Sequence, residues 1–393
     1  MLTSEPGHLD LLDRLKASPI PVCKSLAFVK DWTYFTTPGS PDFESLIRSG
    51  RYPGTTAAWN TGSVLRSRYP NLTVPNQSTT FWSASSPRDV ETAEWFAKGF
   101  FGPKWNETGA AVLKIIPEAA ERGANTLTPG KSCSDYQSDF AYGRPCGYKA
   151  LDLWQRTFTV PISTRLEPSA PGFNFSAVDI YSMFEMCGFE IMVRGVSPWC
   201  NIFTNTDWED FEYGRDLLHY YRAGPGNKYA GAMGFLWLDA TTRNILNHTA
   251  AAKSLYASFV HDGDIIPLIA TLGLLDEAID PHTHRPALLP SQHRMWDRKW
   301  RTSDIVPMGG RVVFERITCD KALHPVQHRR FVRLLINDGH IKLGNRTGGL
   351  LGHDMTVDEF EGMVEERRLD FGDFRGICGL REDGPARICF LHQ

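Results

Sequence analysis

Long hydrophobic runs are missing from this chain of 393 residues. None approaches the roughly 18 apolar residues of a membrane-crossing helix, and the patch at Met233–Leu238 ends at Asp239. Basic runs are also scarce. The 42 Lys and Arg are scattered among 45 Asp and Glu, the formal net charge is −3 and no basic run exceeds three residues, which argues against nucleic acid as a partner. Eight cysteines (Cys23, Cys133, Cys146, Cys187, Cys200, Cys319, Cys378 and Cys389) form no C-x-x-C, which disfavours a zinc ribbon or a thioredoxin-type site. Neither G-x-x-x-x-G-K-[ST] nor G-x-S-x-G occurs, so a P-loop and a hydrolase nucleophile elbow are absent. The opening MLTSEPGHLDLLDRLK has neither a basic n-region nor an apolar h-region and is not a signal peptide.

What is present supports a large folded protein. Hydrophobic residues make up 42%, aromatics 12% and there are 11 Trp, enough for a sizeable core. The length predicts two domains or one domain with an insertion. Six N-x-[ST] sequons stand at Asn71, Asn76, Asn106, Asn174, Asn247 and Asn345, against about two by chance. With the cysteines they predict an oxidising, glycosylating compartment; the alternative is that several sequons are accidental. The polar N-terminus disagrees with secretion, and a natural N-terminus lying outside this sequence would reconcile the two.

Along the chain, 7–17 reads as a helix with Leu9, Leu11, Leu12 and Leu15 on one side. TTFWSA (79–84) reads as a strand, followed by Ser86 as N-cap and Pro87 as the first residue of a helix over 88–101. A second strand is predicted over 110–117. Helical periodicity then fills 147–167, 176–195, 206–222 and 228–247. Strand 254–260, helix 264–275, a Pro- and His-rich connection over 276–305, β-rich runs 310–318 and 329–337 and a helix over 356–369 follow, the last with Thr356 and Glu359 as a capping box. A helical block between two α/β segments predicts an α/β sheet with helices on both faces, built from both chain ends, plus an inserted, mainly helical smaller domain. The boundaries are 1–132 and 250–393 for the α/β part and 133–249 for the insert.

Chemistry concentrates at two strand–turn–helix junctions. The run SLYASFV ends in His261-Asp262-Gly263-Asp264 at a helix start. Ligands of open α/β sheets bind beyond the carboxyl ends of strands, and helix N-termini attract anions. A proton donor there could protonate a leaving oxygen while His261 holds a charged group; the alternative is that Asp262 or Asp264 merely caps the helix. At the other junction, Arg88 in the first turn of its helix opposes the helix dipole. A bound anion would remove that conflict, whereas an exposed pairing with Asp89 or Glu91 is the plainer reading. His282-Thr283-His284 with Asp280 resembles an H-x-H metal site only superficially. Cys187 and Arg194 are one residue too far apart for a C-x5-R phosphatase loop.

These junctions and the cysteines together resemble the histidine acid phosphatases, in particular the fungal secreted acid phosphatase and phytase branch. SFVHDGDIIPLIATLGL (258–274) resembles the family's HD motif, and TTFWSASSPRDVETAEWFAKGFFG (79–102) its segment with a phosphate-binding Arg. Residues 186–234 resemble its helical domain, and TLTPGKSC (126–133) and VRLLINDGHIKL (332–343) also fit. The resemblance implies phosphomonoester hydrolysis without metal or cofactor, on a small phosphorylated substrate, through a phosphohistidine. It implies Asp262 as proton donor, His261 and Arg88 as phosphate ligands, and disulfides Cys187–Cys200 and Cys133–Cys378.

One departure is large. The family's nucleophile lies in R-H-G-x-R-x-P, and this chain contains none. Arg48-Ser49-Gly50-Arg51-Tyr52-Pro53 has Ser at the nucleophile slot and one residue too few before its second Arg. By resemblance, the motif would lie before about residue 5, and Cys319 would be left without its partner. A truncated phosphatase of low stability is therefore expected. The competing readings are a non-catalytic relative that keeps a phosphate pocket and an unrelated metallohydrolase using His261, Asp262, His282 and His284.

Overall fold

The computed structural model describes residues 5–36, 48, 50–73, 77–246, 255–277, 287–319, 330–343 and 352–392. Helix α1 (Glu5–Lys16) is followed by a 3-10 turn at Lys24–Lys30 and by α2 (Gly54–Arg68). Strand β1 (Thr79–Ala84), α3 (Pro87–Phe101) and β2 (Ala111–Ile116) come next, then two single turns, α4 (Pro129–Ser132) and α5 (Ser134–Ser138). The helical block consists of α6 (Pro145–Leu166), α7 (Ala177–Arg194), α8 (Asn205–Arg222) and α9 (Ala230–Leu246). The chain continues through β3 (Ser258–Phe259), α10 (Asp262–Leu272), α11 (Thr302–Ile305), β4 (Val312–Thr318), β5 (Arg330–Ile336), β6 (Gly339–Ile341), β7 (Met355–Thr356), α12 (Val357–Phe371) and α13 (Phe374–Ile377).

Among the described residues the strands form two sheets rather than one. A parallel sheet has the order β2-β1-β3, so it does draw on both ends of the chain; β4, β5 and β6 form an antiparallel meander, with β7 also on β5. Alternation along β1 explains why the parallel sheet is covered on both faces. Phe81 points to the side where Ala93 and Ala97 of α3 pack, and Trp82 to the side where Met233 of α9 and Leu268 of α10 pack. The capping box predicted at Thr356 and Glu359 is present. Ser86 caps α3 by position, with Pro87 after it, but its side chain makes no capping bond.

A second core joins α6, α7 and α8 through Trp154, Phe158, Phe184, Tyr213 and Leu217. Leu11, Leu12 and Leu15 of α1 belong to this core, as do Ile266 and Ile269 of α10, so α10 bridges the helical block and the parallel sheet. Its seat on α9 depends on glycine: a Cβ at Gly234 would lie 2.0 Å from the Pro267 carbonyl oxygen. Helix α2, which periodicity does not announce, docks on α3 by the same device, with Gly62 against the Phe96 carbonyl. The two disulfides are Cys133–Cys378 and Cys187–Cys200. Among the described residues no helix is long and apolar enough to cross a membrane.

Candidate active site

Strands β1, β2 and β3 run parallel, so the segments that follow them emerge on one edge of the sheet. After β1 come Ser85, Ser86 and then Arg88 and Asp89 in the first turn of α3; after β2 comes Glu118; after β3 come His261 and Asp262. Three sequence-distant segments thus deliver polar side chains to one place, as the switch-point rule for α/β sheets requires.

His261 is the hub. Its Nε2 lies 3.0 Å from Glu118 Oε1 and its Nδ1 lies 3.1 Å from Asp89 Oδ2 and 3.3 Å from Arg88 Nη2. Burial alone would lower the imidazole pKa. The hydrogen bond that Nε2 donates to Glu118 and the charges of Asp89, Asp264 and Glu118 outweigh it, and the ring titrates above its usual value. Glu118 is fixed by the Ser86 N–H, which donates to Oε1 at 3.0 Å, while its own N–H donates to Ser85 Oγ. The hydrogen bond with His261 holds this carboxyl below its ordinary value. Asp89 is pushed up to about 6, mainly by burial.

Asp262 is the first residue of α10 and Oδ1 accepts the Gly263 N–H at 2.6 Å. Part of the capping alternative is therefore realised, yet 41% of the side chain stays exposed and Oδ2 is turned toward His219 Nε2 at 3.8 Å. Burial would raise the Asp262 carboxyl, but the positive charges of Arg222 and Arg215 help bring it below the ordinary carboxylate range. His219 is buried, and its Nε2 accepts from Arg215 Nη2 at 3.1 Å. Burial and the Arg215 charge push it down to about 3, so it is neutral. Asp264 lies deeper, 7% exposed, and burial among Asp89, Asp262 and Glu118 pushes it up to about 8.

Helix α8 supplies His219, Arg215 and Arg222, and its position is set by a buried ion pair. Arg298 Nε donates to Asp216 Oδ2 at 2.6 Å, and the other Asp216 oxygen accepts the Thr302 N–H. These α8 residues and Glu118 are what sequence reading misses, while Asp264 is read only as an acid at the helix start and Asp89 only as a surface partner of Arg88. A signal existed for Glu118, an acid just past the end of a parallel strand. None existed for α8, because only tertiary packing turns its basic side chains toward α10.

Of the sequence-derived candidates, the structure brings together Arg88, His261 and Asp262. Glu91 pairs with Arg48. Cys187 is disulfide-bonded and Arg194 donates to Glu190 within α7. The Arg51 N–H donates to the Val193 carbonyl at the end of α7, while Ser49 lies outside the described residues. Asp280, His282 and His284 also lie outside them. Among the described residues, Asp89, Glu118 and His261 place ligand-type atoms within 4.8 Å of one another, and these could hold a cation where they now share protons.

Comparison with known proteins identifies the family. The model of the histidine phosphatase superfamily, branch 2, matches residues 20–337. The phytase PHO112 of Candida albicans is 32% identical over 93% of this chain and 74% of its own length. The acid phosphatase PHO1 of Komagataella pastoris is 30% identical with the same coverage. The crystal structure of the phytase from D. castellii superposes with a TM-score of 0.86 at 26% identity, covering 99% of this chain and 80% of that one. The chain belongs to the histidine phosphatase superfamily, branch 2, and its homologues are acid phosphatases and phytases, hydrolases of phosphoric monoesters.

Proposed function

We propose that this site binds the phosphoryl group of a small phosphomonoester through Arg88 and His261, with Asp262 as the acid that protonates the departing alcohol. The observation that carries the reading is the meeting of Arg88 and His261 at 3.3 Å beside the N-terminus of α10, which begins with Asp262. A guanidinium, a protonated imidazole and the positive end of the α10 dipole are what developing phosphoryl charge requires. Asp262 rests as a carboxylate. A phosphate dianion arriving beside it raises its proton affinity by like-charge repulsion, which suits it to deliver a proton under acidic conditions. Secretion is part of the same proposal, supported by the two disulfides and the sequons.

The second reading is a non-catalytic phosphate binder that keeps Arg88 and His261, whose meeting is equally what a binding pocket needs. Two measurements separate the readings. Inorganic phosphate binding, by calorimetry, is expected in the wild type. Arg88→Ala should weaken it by about tenfold or more, the value of a lost charge-assisted hydrogen bond of roughly 1.5–3 kcal/mol; unchanged binding removes Arg88 from the site. Turnover of an ester with a poor leaving group is expected to fall roughly 10²–10⁴-fold in Asp262→Asn with the far-UV spectrum intact. Phosphate binding without turnover in the wild type establishes the binder.

A further inference from the structure

The sequons find no role in the active site, and of the three whose asparagines are described, Asn71, Asn106 and Asn174, the first is built into the surface differently from the other two. Helix α2 ends at Arg68, and Tyr69-Pro70-Asn71-Leu72 forms a turn in which the Leu72 N–H donates to the Tyr69 carbonyl at 3.4 Å. Asn71 is exposed at this turn, and Arg66 fastens the end of the sequon by donating to Thr73 Oγ1. Asn71 stands on the wall of a groove of about 830 Å³, whose lining includes Arg66, Gln77, Phe100, Phe101 and Thr108. The wall carries aromatic rings, an amide, a hydroxyl and a guanidinium but no carboxylate. Arg66 lies over the Phe100 ring at 5.8 Å. Such a lining suits a neutral ligand with apolar C–H faces and many hydroxyls. Asn106 borders a hollow of only about 250 Å³ among Glu94, Lys98, Lys104 and Glu107. Asn174 is exposed and borders neither space.

We propose that Asn71 carries an N-linked glycan whose first sugars lie in this groove against Phe101 and Gln77, so that the glycan covers the surface between α2, α3 and β2. The inference rests on the secretory reading above. In the transfer step, Nδ2 of Asn71 attacks C1 of an oligosaccharide carried on a polyprenyl diphosphate. The C1–Nδ2 bond forms, the C1–O bond to the diphosphate breaks and the amide loses one proton. The later stacking is non-covalent.

The test uses the full chain passed through a eukaryotic secretory pathway. Glycopeptide mass spectrometry is expected to find Asn71 occupied. Timed digestion of the native protein with an endoglycosidase should then release the Asn71 glycan at least about fivefold more slowly than a glycan at Asn174 or Asn106, because a seated sugar must open locally before cleavage. In urea the difference should vanish. An unoccupied Asn71 overturns the proposal. Glycans at other sequons would then place the failure at this site, whereas none at any sequon would show that the secretory reading has failed with it. An occupied Asn71 released as fast as the other sites overturns the seat in the groove.

Discussion

Glu118 offers a test that needs no turnover. Replacing it with Gln keeps the shape and an acceptor for the Ser86 N–H but removes the charge 3.0 Å from His261 Nε2. A hydrogen bond between charged groups in a partly buried site is worth about 1.5–3 kcal/mol, and one pKa unit corresponds to about 1.36 kcal/mol. His261 should therefore titrate roughly one to two units lower in Glu118→Gln. The sign follows from the raised pKa: the positive charge proposed to attract phosphate is present at low pH and is lost as pH rises through the folded-state value. Near pH 5 the variant should bind phosphate at least as tightly as wild type, because an anion has been removed from the pocket while His261 remains charged. Near pH 7 it should bind about tenfold more weakly. The two affinity curves must cross. Imidazole resonances by NMR and calorimetric titrations at both pH values measure the shift and the crossing. Parallel curves, or an unchanged His261 titration, would refute the assignment of Glu118 as the group that keeps His261 charged.

Two further outcomes concern stability. Gly234→Ala places a Cβ about 2.0 Å from the Pro267 carbonyl oxygen and should cost about 1–3 kcal/mol in urea unfolding, whereas Gly188→Ala in α7 has open space and should be neutral or slightly stabilising; equal effects would remove the close α9–α10 crossing from the account. Asp264 holds its proton to about pH 8 in the folded chain, while in the unfolded chain it ionises near 3.9, so its share of stability is complete below about pH 4 and declines as pH rises toward 8. Asp264→Asn should flatten that decline in urea midpoints taken at pH 4.5 and 7.5, and an unchanged slope would contradict the burial of this group.

Much of the parallel sheet and its two helices is legible in the sequence, because TTFWSA, Ser86-Pro87 and the His261-Asp262 junction combine an apolar run with its own punctuation. The four long helices are legible for a similar reason, since an apolar stripe at helical period needs a partner whatever that partner is. What the sequence does not show is pairing between distant segments. Strands β4 and β5 are visible as apolar runs, but their separation into an antiparallel sheet depends on hydrogen bonds over long sequence distances. Asp89 reads as a surface partner for its neighbour Arg88, although it is buried and faces a histidine 172 positions away. His219 and Arg222 read as the solvated side of a helix until α10 is laid across it.

The Cys133–Cys378 bond closes a covalent ring between cysteines 245 positions apart in sequence. His219, His261 and Asp262 lie on that ring, whereas Arg88, Asp89 and Glu118 lie on the arm that precedes it. A single proteolytic scission anywhere between the two cysteines opens the ring without releasing a fragment. The protein would then migrate as one species on a non-reducing gel and as two after reduction. A nicked molecule therefore keeps both halves of the site tethered, and loss of mass under oxidising conditions requires two cuts, or one outside the ring.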